Sequence, residues 1–350
     1  MISILLPTNR INKNILCKIT HLYNGLETLR NEKIFTKEFI DLSLSRLANT
    51  KHYLEPTLRS LEKQKFRDFE LIISHRYPED VRGIVESYNI RLKLVEEKPS
   101  VWHKLGNYGT LNNNINTAFI HSSGDLLWRL DDMTYFNNDI TREINDLWKR
   151  NLYMTSKAIR CIDYFPDLKN KIKREQLGFN KFRIIFKGIS GEVKNLTFSN
   201  EEYPRIPKYM VWGYSSTISR DDFLRVNGQD ELYDGAVCGT DMDLGRRIAA
   251  ISSISRVASK NYIYEVNDIP YKHNIRDDVI MRKIFKVNNI KGNAWKPNQE
   301  QMKAYEKWHK ENIGELDSNW NKFMDVPFID LETEYKLKRL GRVIYDSNNS

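Results

Sequence analysis

The first 130 residues alternate short apolar runs with stretches in which apolar residues recur every three or four positions. The apolar runs, each short enough to be a buried strand, are residues 2–6, 69–74, 91–97 and 125–130. The stretches with helical spacing are residues 11–29, 51–65, 81–88 and 107–120. This β-α-β-α-β-α-β order predicts an α/β fold, with a Rossmann-type, mostly parallel sheet that carries helices on both faces.

The second half of the sequence is less regular. Strand composition recurs at residues 153–165, 182–189 and 257–266. The stretch over residues 167–181 is basic and polar, and the stretch over residues 240–250 favours a helix. From about residue 277 the pattern is polar and helical. We therefore expect one domain over residues 1–275, with halves that meet near residue 135, and a helical C-terminal extension at 276–350.

The formal net charge is +9, from 55 basic and 46 acidic side chains, which favours an anionic partner. The lysines are scattered and no nucleic-acid-binding motif is present, so we expect no nucleic acid among the partners. The three cysteines lie far apart and suggest no disulfide framework. No apolar stretch approaches the roughly 18 residues of a membrane span, and no signal sequence is evident. These features predict a cytoplasmic protein, and peripheral contact with a membrane stays open.

Two adjacent carboxylates, Asp131 and Asp132, directly follow the fourth predicted strand. Ligands of parallel α/β sheets lie outside the carboxyl ends of the strands, where Pro7 and His75 are also expected. A divalent cation bound to diphosphate oxygens would compensate such a pair, because magnesium and manganese prefer carboxylate ligands. An Asp-rich turn is the alternative, and the residues alone leave both interpretations open.

A second acidic pair, Asp241 and Asp243, falls in the first turn of the helix predicted over 240–250. Carboxylates in that turn stabilise the helix dipole, which explains them without any catalytic role. The functional alternative is a general base that deprotonates an acceptor hydroxyl. His273 follows the last predicted strand, where it is either an ordinary surface or core histidine or a late metal ligand.

Five segments together resemble the family 2 glycosyltransferases, which have the GT-A fold. In order, they are ISILLPTNR, LEPTLRSLEKQKFRDFELIIS, GNYGTLNNNINTA, LLWRLDDM in the place of the Asp-x-Asp motif, and VWGYSSTISRDDFLRVNGQDEL followed by GTDMDLGRR. No single segment is specific, but their order and distances match. The resemblance covers about residues 1–30 and 50–275.

The resemblance implies a nucleotide-sugar-binding half at 1–135 and an acceptor half at 136–275. By position, it assigns nucleotide-sugar binding to Pro7, Thr8, Arg10, His75, Asn112, Asp131 and Arg247, metal binding to Asp131, Asp132 and His273, and acceptor binding to Trp212 and Asp243. Asp241 falls where the family has its general base. The implied activity is an inverting, Mn²⁺- or Mg²⁺-dependent hexosyl transfer in glycan or polysaccharide biosynthesis, with a UDP-sugar as the favoured donor.

The sequence departs from the family at Met133, Thr240, His75 and Leu111, where the family usually has an acid, a glutamate, an aspartate and an arginine. These departures keep open a sugar-nucleotide-binding protein with impaired catalysis. A sugar nucleotidyltransferase is a weaker alternative, because PTNRINKN after the first strand has no glycine to hold a triphosphate. The sequence does not choose among glycan, lipid-linked and protein acceptors, nor between a monomer and a homo-oligomer.

Overall fold

The computed structural model describes residues 1–8, 37–100, 110–132, 134–162, 173–178, 181–186, 189–194, 203, 205–211, 215–231, 234, 240–267, 331–337 and 341–348. Its strands are β1 Ile2–Thr8, β2 Phe69–His75, β3 Leu92–Glu96, β4 Leu126–Leu130, β5 Thr134–Phe136, β6 Leu152–Ile162, β7 Lys173–Gly178, β8 Lys181–Phe186, β9 Ile189–Lys194, β10 Arg205–Ile206, β11 Ser215–Ser219, β12 Ser255–Asn267 and β13 Val343–Asp346. Its helices are α1 Lys37–Leu47, α2 Glu55–Glu62, α3 Glu79–Val85, α4 Leu111–Ile120, α5 Ile140–Lys149, α6 Arg220–Arg225, α7 Thr240–Ile251 and α8 Leu331–Leu337.

These strands form one sheet with two differently built halves. In the first half, β3, β2, β1 and β4 lie side by side, and they pair with one another in parallel. Beyond β4 the order continues through β11, β6, β9, β8 and β7 with antiparallel pairings. β12 pairs in parallel with β6. The predicted α/β fold is confirmed, and its Rossmann-type parallel portion lies in the N-terminal half.

The apolar strands bury both of their faces, because successive side chains point to opposite sides of a sheet. Ile4 and Leu6 of β1 belong to one core cluster, whereas Leu5 belongs to the other. Helices α2, α3 and α5 cover the first face. Helices α4, α6 and α7 cover the second. The prediction of helices on both faces is therefore confirmed.

The first strand continues past the predicted run of residues 2–6, through Pro7, and ends at Thr8. Pairing of β1 with β4 runs only from Ile2 to Leu5, whereas pairing with β2 continues to Thr8. Proline lacks the N–H donor that a central strand uses. Pro7 is tolerated because it lies beyond the part of β1 that pairs with β4.

Two further segments differ from the predictions. Part of the polar stretch predicted over 167–181 forms β7, which pairs with β8. At the C-terminus, most of the predicted extension lies outside the described residues, but α8 is helical and β13 is a strand that adds antiparallel to β3. Within the parts of the chain that the structure describes, no helix has the length and apolar character needed to cross a membrane.

Candidate active site

Polar residues meet where the parallel strands of the first half end. Thr8, the last residue of β1, lies in register with His75, the last residue of β2. Asp131 and Asp132 immediately follow β4, the other neighbour of β1. The sheet thus gathers four predicted site residues at its carboxyl edge, where parallel α/β sheets bind their ligands.

Thr8 and Asp132 are joined directly. The Thr8 Oγ1 hydroxyl donates a hydrogen bond of 2.7 Å to Asp132 Oδ2, and both side chains are buried. Asp131 is half-buried, and its carbonyl oxygen accepts a 2.7 Å hydrogen bond from Thr134 Oγ1. The Asp132 carboxylate is therefore held by β1, and the Asp131 backbone is held by the first residue of β5.

His75 is a buried histidine at the same edge. Its Nδ1 accepts a 2.8 Å hydrogen bond from the Tyr77 backbone N–H, and its Nε2 lies 3.3 Å from the Tyr53 hydroxyl. Burial lowers the pKa of His75, and the carboxylates of Asp80 and Glu97 only partly oppose this effect. The ring is therefore neutral at pH 7, with its proton on Nε2, since Nδ1 acts as an acceptor.

Asn112 lies in the first turn of α4, which packs on β1 and β2. Its backbone N–H donates to Asp234 Oδ1 at 2.6 Å, and the next N–H, from Asn113, donates to Oδ2 at 2.9 Å. Burial raises the pKa of Asp234 well above its usual range. Both polar atoms of the Asn112 side chain are buried and have no hydrogen-bond partner among the described residues.

Asp241 stands in the first turn of α7, and its carboxylate forms an ion pair with the Arg129 guanidinium. Arg129 belongs to β4, two residues before Asp131. The Arg129 side chain is 5% exposed and that of Asp241 is 38% exposed. The pair therefore links the helix that carries the predicted base to the strand that the predicted metal ligands follow. It leaves the Asp241 carboxylate accessible.

Asp243 and Arg247 form a second ion pair on the same helix. Arg247 Nε donates to Asp243 Oδ2 at 2.8 Å, and both side chains are 2% exposed. Arg247 Nη1 also donates to the carbonyl oxygens of Val226 and Gly228, at 2.6 and 2.7 Å. These contacts account for both residues as supports of α7. Their assignments to acceptor and nucleotide-sugar binding stay predictions.

The structure brings Pro7, Thr8, His75, Asp131 and Asp132 to one edge, with Asp241 tied to β4 through Arg129. Pro7 is buried in β1, in register with Ser74. Three predicted site residues, Arg10, His273 and Trp212, lie outside the described residues, as does Met133. Among the residues that are described, no group of three or more histidine, cysteine, aspartate or glutamate side chains is arranged to hold a metal ion.

Sequence reasoning missed two residues of this site. Arg129 interrupts the apolar run LLWRL, and a charge in a buried strand is costly unless it is paired, so its position was itself a signal. Asp234 carried no comparable signal, because one aspartate in a polar segment is common. Its role at the start of α4 depends on a contact over 122 positions of the chain.

No protein-family model matches the chain, and no curated protein matches it. Among solved structures, S. aureus TarS 1–349 has 12% identity and a TM-score of 0.45, over 95% of this chain and 77% of TarS 1–349. The same fragment in complex with UDP-GlcNAc gives 12% identity and a TM-score of 0.44, with 95% and 78% covered. GalNAc-T7, crystallised with UDP, GalNAc and Mn²⁺, gives 10% identity and a TM-score of 0.47, over 97% of this chain and 54% of its own.

Proposed function

We propose that this protein is a glycosyltransferase that moves a hexose from a nucleoside-diphosphate sugar, with a UDP-sugar favoured, to an acceptor hydroxyl. The observation that carries the proposal is the grouping of Thr8, Asp131 and Asp132 at the carboxyl edge of the parallel strands. Asp241 is joined to one of these strands, β4, through Arg129. A carboxylate pair at this edge suits a diphosphate held through a cation, and an accessible carboxylate beside it suits proton abstraction.

The proposed reaction is a single displacement with inversion. The acceptor oxygen bonds to the anomeric carbon as its proton passes to the Asp241 carboxylate. The bond from the anomeric carbon to the diphosphate oxygen breaks, and the nucleoside diphosphate leaves with the electron pair. An alcohol is a weak nucleophile at neutral pH, so a positioned carboxylate contributes about 10²–10⁴ in rate.

Asp131 and Asp132 would hold the divalent cation, Mn²⁺ or Mg²⁺, that this proposal includes. Two carboxylates suit such a cation, because Mg²⁺ typically binds one or two carboxylates plus substrate phosphates and keeps several waters. When bound, the cation would neutralise charge that develops on the departing diphosphate. Thr8 fixes one Asp132 oxygen by its hydrogen bond of 2.7 Å. His273 remains a proposed third ligand.

Asn112 and His75 are proposed to contact the nucleotide. Asn112 offers a buried amide whose donor and acceptor atoms have no partner among the described residues. His75 offers a neutral ring beside Thr8. Pro7, Arg10 and Arg247 complete the nucleotide-sugar set, and Trp212 and Asp243 are proposed on the acceptor side. The acceptor is a glycan, a lipid-linked molecule or a protein.

The experiment is a thermal-shift screen with UDP-glucose, UDP-galactose, UDP-GlcNAc and UDP-GalNAc, each with and without Mn²⁺, followed by measurement of nucleotide release. We expect at least one donor to raise the melting temperature and to be hydrolysed slowly, with both effects reduced by EDTA. A ligand that binds only the folded state stabilises it according to its concentration relative to Kd. Binding without turnover would indicate the catalytically impaired alternative, and no binding to any donor would contradict the proposal.

Asp241→Asn separates a base from a helix cap. Asparagine caps a helix about as well as aspartate, so a purely structural Asp241 would leave turnover nearly intact. If Asp241 is the base, the variant loses transfer while its donor affinity stays near that of the wild type. Its melting temperature falls in either case, because the buried Arg129 loses its counter-charge. A product that retains the donor's anomeric configuration would contradict the single displacement.

A further inference from the structure

We propose that Arg129 is the positioning residue for Asp241, holding the carboxylate in place relative to the donor site. This inference rests on the proposed function, in which Asp241 takes the acceptor proton. It assigns a role to an arginine that sequence reasoning did not select. Three observations support it: the fixed position of Arg129 in the sheet, its burial, and its contact with the first turn of α7.

The backbone of Arg129 is held on both sides. It pairs with Leu5 of β1 in a parallel ladder and with Ser216 of β11 in an antiparallel one. Its neighbours Trp128 and Leu130 belong to the core cluster on one face. Alternation therefore directs Arg129 to the other face, where α7 packs.

A buried arginine is costly unless its charge is compensated. Arg129 is 5% exposed, and its ion pair with Asp241 supplies this compensation. Its Nε is buried and has no hydrogen-bond partner among the described residues. The guanidinium thus uses its Nη1 end for Asp241, and the rigid centre of the sheet fixes where that end lies.

The Asp241 carboxylate also accepts a hydrogen bond from Thr240 Oγ1, which is long at 3.5 Å. The contact with Arg129 joins two charged groups and is therefore the stronger of these two contacts. A general base must lie within hydrogen-bond reach of the proton that it removes, and a displacement of 1 Å costs about 10²-fold in rate. Loss of Arg129 should consequently reduce the rate of turnover more than the affinity for the donor.

A donor-binding role for Arg129 makes a different forecast. An arginine that contacts the diphosphate contributes to binding in the ground state, so its removal would raise the dissociation constant of UDP. The two roles are separated by measuring UDP affinity and turnover on the same variants.

The test uses Arg129→Met, Arg129→Lys and Asp241→Asn in the full chain. UDP affinity is measured by calorimetry with Mn²⁺, and turnover as UDP release from the donor that the wild type hydrolyses fastest among the four UDP-sugars named above. We expect Arg129→Met to lower kcat by about 10–100-fold, with the UDP Kd within about threefold of the wild type. Arg129→Lys should recover part of the rate, because it keeps the charge but loses the planar geometry.

Arg220→Met is the matched control. Arg220 is a partly buried arginine whose Nε donates to the Gly124 carbonyl oxygen at 2.8 Å, before β4 begins. Its replacement should lower the melting temperature and leave kcat unchanged. In an Asp241→Asn background, adding Arg129→Met should cause no further loss of the residual rate, because Arg129 acts through Asp241.

Three results would overturn the inference: an unchanged kcat for Arg129→Met, a rise of tenfold or more in the UDP Kd, or additive losses in the double variant. If Asp241→Asn is inactive and Arg129→Met is normal, the proposed function stands and the role of Arg129 falls. If Asp241→Asn is fully active, both the base assignment and the role of Arg129 fall. If no UDP-sugar is bound or hydrolysed, the proposed function fails and the inference fails with it.

Discussion

The Thr8 hydroxyl and the Asp132 carboxylate, 124 positions apart in the chain, are joined by a buried hydrogen bond of 2.7 Å. The contact joins the last residue of β1 to the second residue after β4, the parallel strand beside it. A hydrogen bond to a carboxylate is stronger than one between neutral groups, and it fixes the direction of the lone pairs that remain. Thr8 therefore orients the carboxylate that we propose as a metal ligand.

Thr8→Val should weaken Mn²⁺ binding in the presence of UDP by about 10–100-fold, the usual effect of removing a partner that orients a metal ligand. Valine keeps the shape of threonine and removes only the hydrogen-bond donor. Thr8→Ser, which keeps the hydroxyl, is the control and should bind nearly as the wild type does. Manganese titration followed by electron paramagnetic resonance measures both variants. Equal affinities for Thr8→Val and the wild type would show that the bond does not orient a metal ligand.

Asp132→Asn should lower the affinity for Mn²⁺ with UDP still further, because it removes the negative charge as well as one oxygen. The matched control is Asp139→Asn, an exposed aspartate paired with Lys65 on the surface. The control should leave Mn²⁺ affinity unchanged, and both variants should keep the circular dichroism spectrum of the wild type. If Mn²⁺ binds the two variants equally well, Asp132 is not a ligand and the Asp-rich turn becomes the better account.

The strands of the first half were predictable because each is a short apolar run, and their order follows from the alternation with helices. The contacts within the site, Thr8 with Asp132 and Arg129 with Asp241, were not predictable. Thr8 and Asp132 are brought together by the parallel pairing of β1 with β4, and a sequence pattern does not specify that register. For the same reason, the clustering of acids near strand ends was predictable, whereas the pairing of Arg129 with Asp241 was not.

The C-terminal part of the chain shows a second reason why structure could not be predicted from the sequence. A strand of four residues, β13, closes the edge of β3, and the last helix presents Leu331 to the second core cluster. A segment this short has too few residues to display a period. Its structure depends on an exposed sheet edge and an apolar surface that the rest of the chain provides.

Acid should destabilise the protein between pH 6.5 and pH 4 through His52. Burial, with a smaller effect of the nearby His75, lowers the pKa of His52 to about 4. The unfolded chain binds a proton near pH 6.5, whereas the folded chain does not until about pH 4, so protons favour unfolding in this window. The stability that His52 contributes is fully present above pH 6.5 and falls by about 3 kcal/mol as the pH falls to 4.

The measurement is urea unfolding of the wild type and His52→Gln across this pH range. Asp234 contributes the opposite slope, because its pKa is raised and its protonation favours the folded state. The difference between the two proteins cancels that contribution and isolates His52. We expect the wild type to lose its advantage over His52→Gln as the pH falls. A difference that does not change with pH would contradict the assignment.

Replacement of Lys98 should lower the free energy of unfolding more than replacement of an exposed lysine does. Its side chain is 2% exposed, and its Nζ lies 2.7 Å from a carboxylate oxygen of Glu231 and 2.7 Å from one of Glu334. Burial alone would lower the pKa of Lys98, but the two carboxylates outweigh it and raise the pKa. The lysine therefore stays charged at neutral pH, and it ties α8 to the segment that continues to Asp234.

Lys98→Met removes the cation and leaves two carboxylates facing each other in a largely buried position. Breaking a buried ion pair by removing one partner costs about 3–5 kcal/mol, so we expect a loss of this size in the free energy of unfolding. Lys336→Met is the control, because Lys336 forms an ion pair of the same length, 2.7 Å, with Glu332 but is 70% exposed. Exposed pairs contribute about 0–1 kcal/mol.

Hydrogen exchange distinguishes a local effect from a global one. If Lys98 holds the C-terminal segment, the amides of residues 331–337 and 343–346 should exchange faster in Lys98→Met than in Lys336→Met. The amides of Asn112 and Asn113 should also lose protection, because Asp234, which accepts from both, belongs to the segment that Glu231 anchors. A Lys98→Met protein with less than about 1 kcal/mol of destabilisation and unchanged exchange at these sites would contradict this role for Lys98. It would mean that the two glutamates are protonated or rehydrated at little cost. The other contacts of α8, such as the packing of Leu331 in the second core cluster and its N–H bond to Asn227 Oδ1, would then be sufficient to hold the helix.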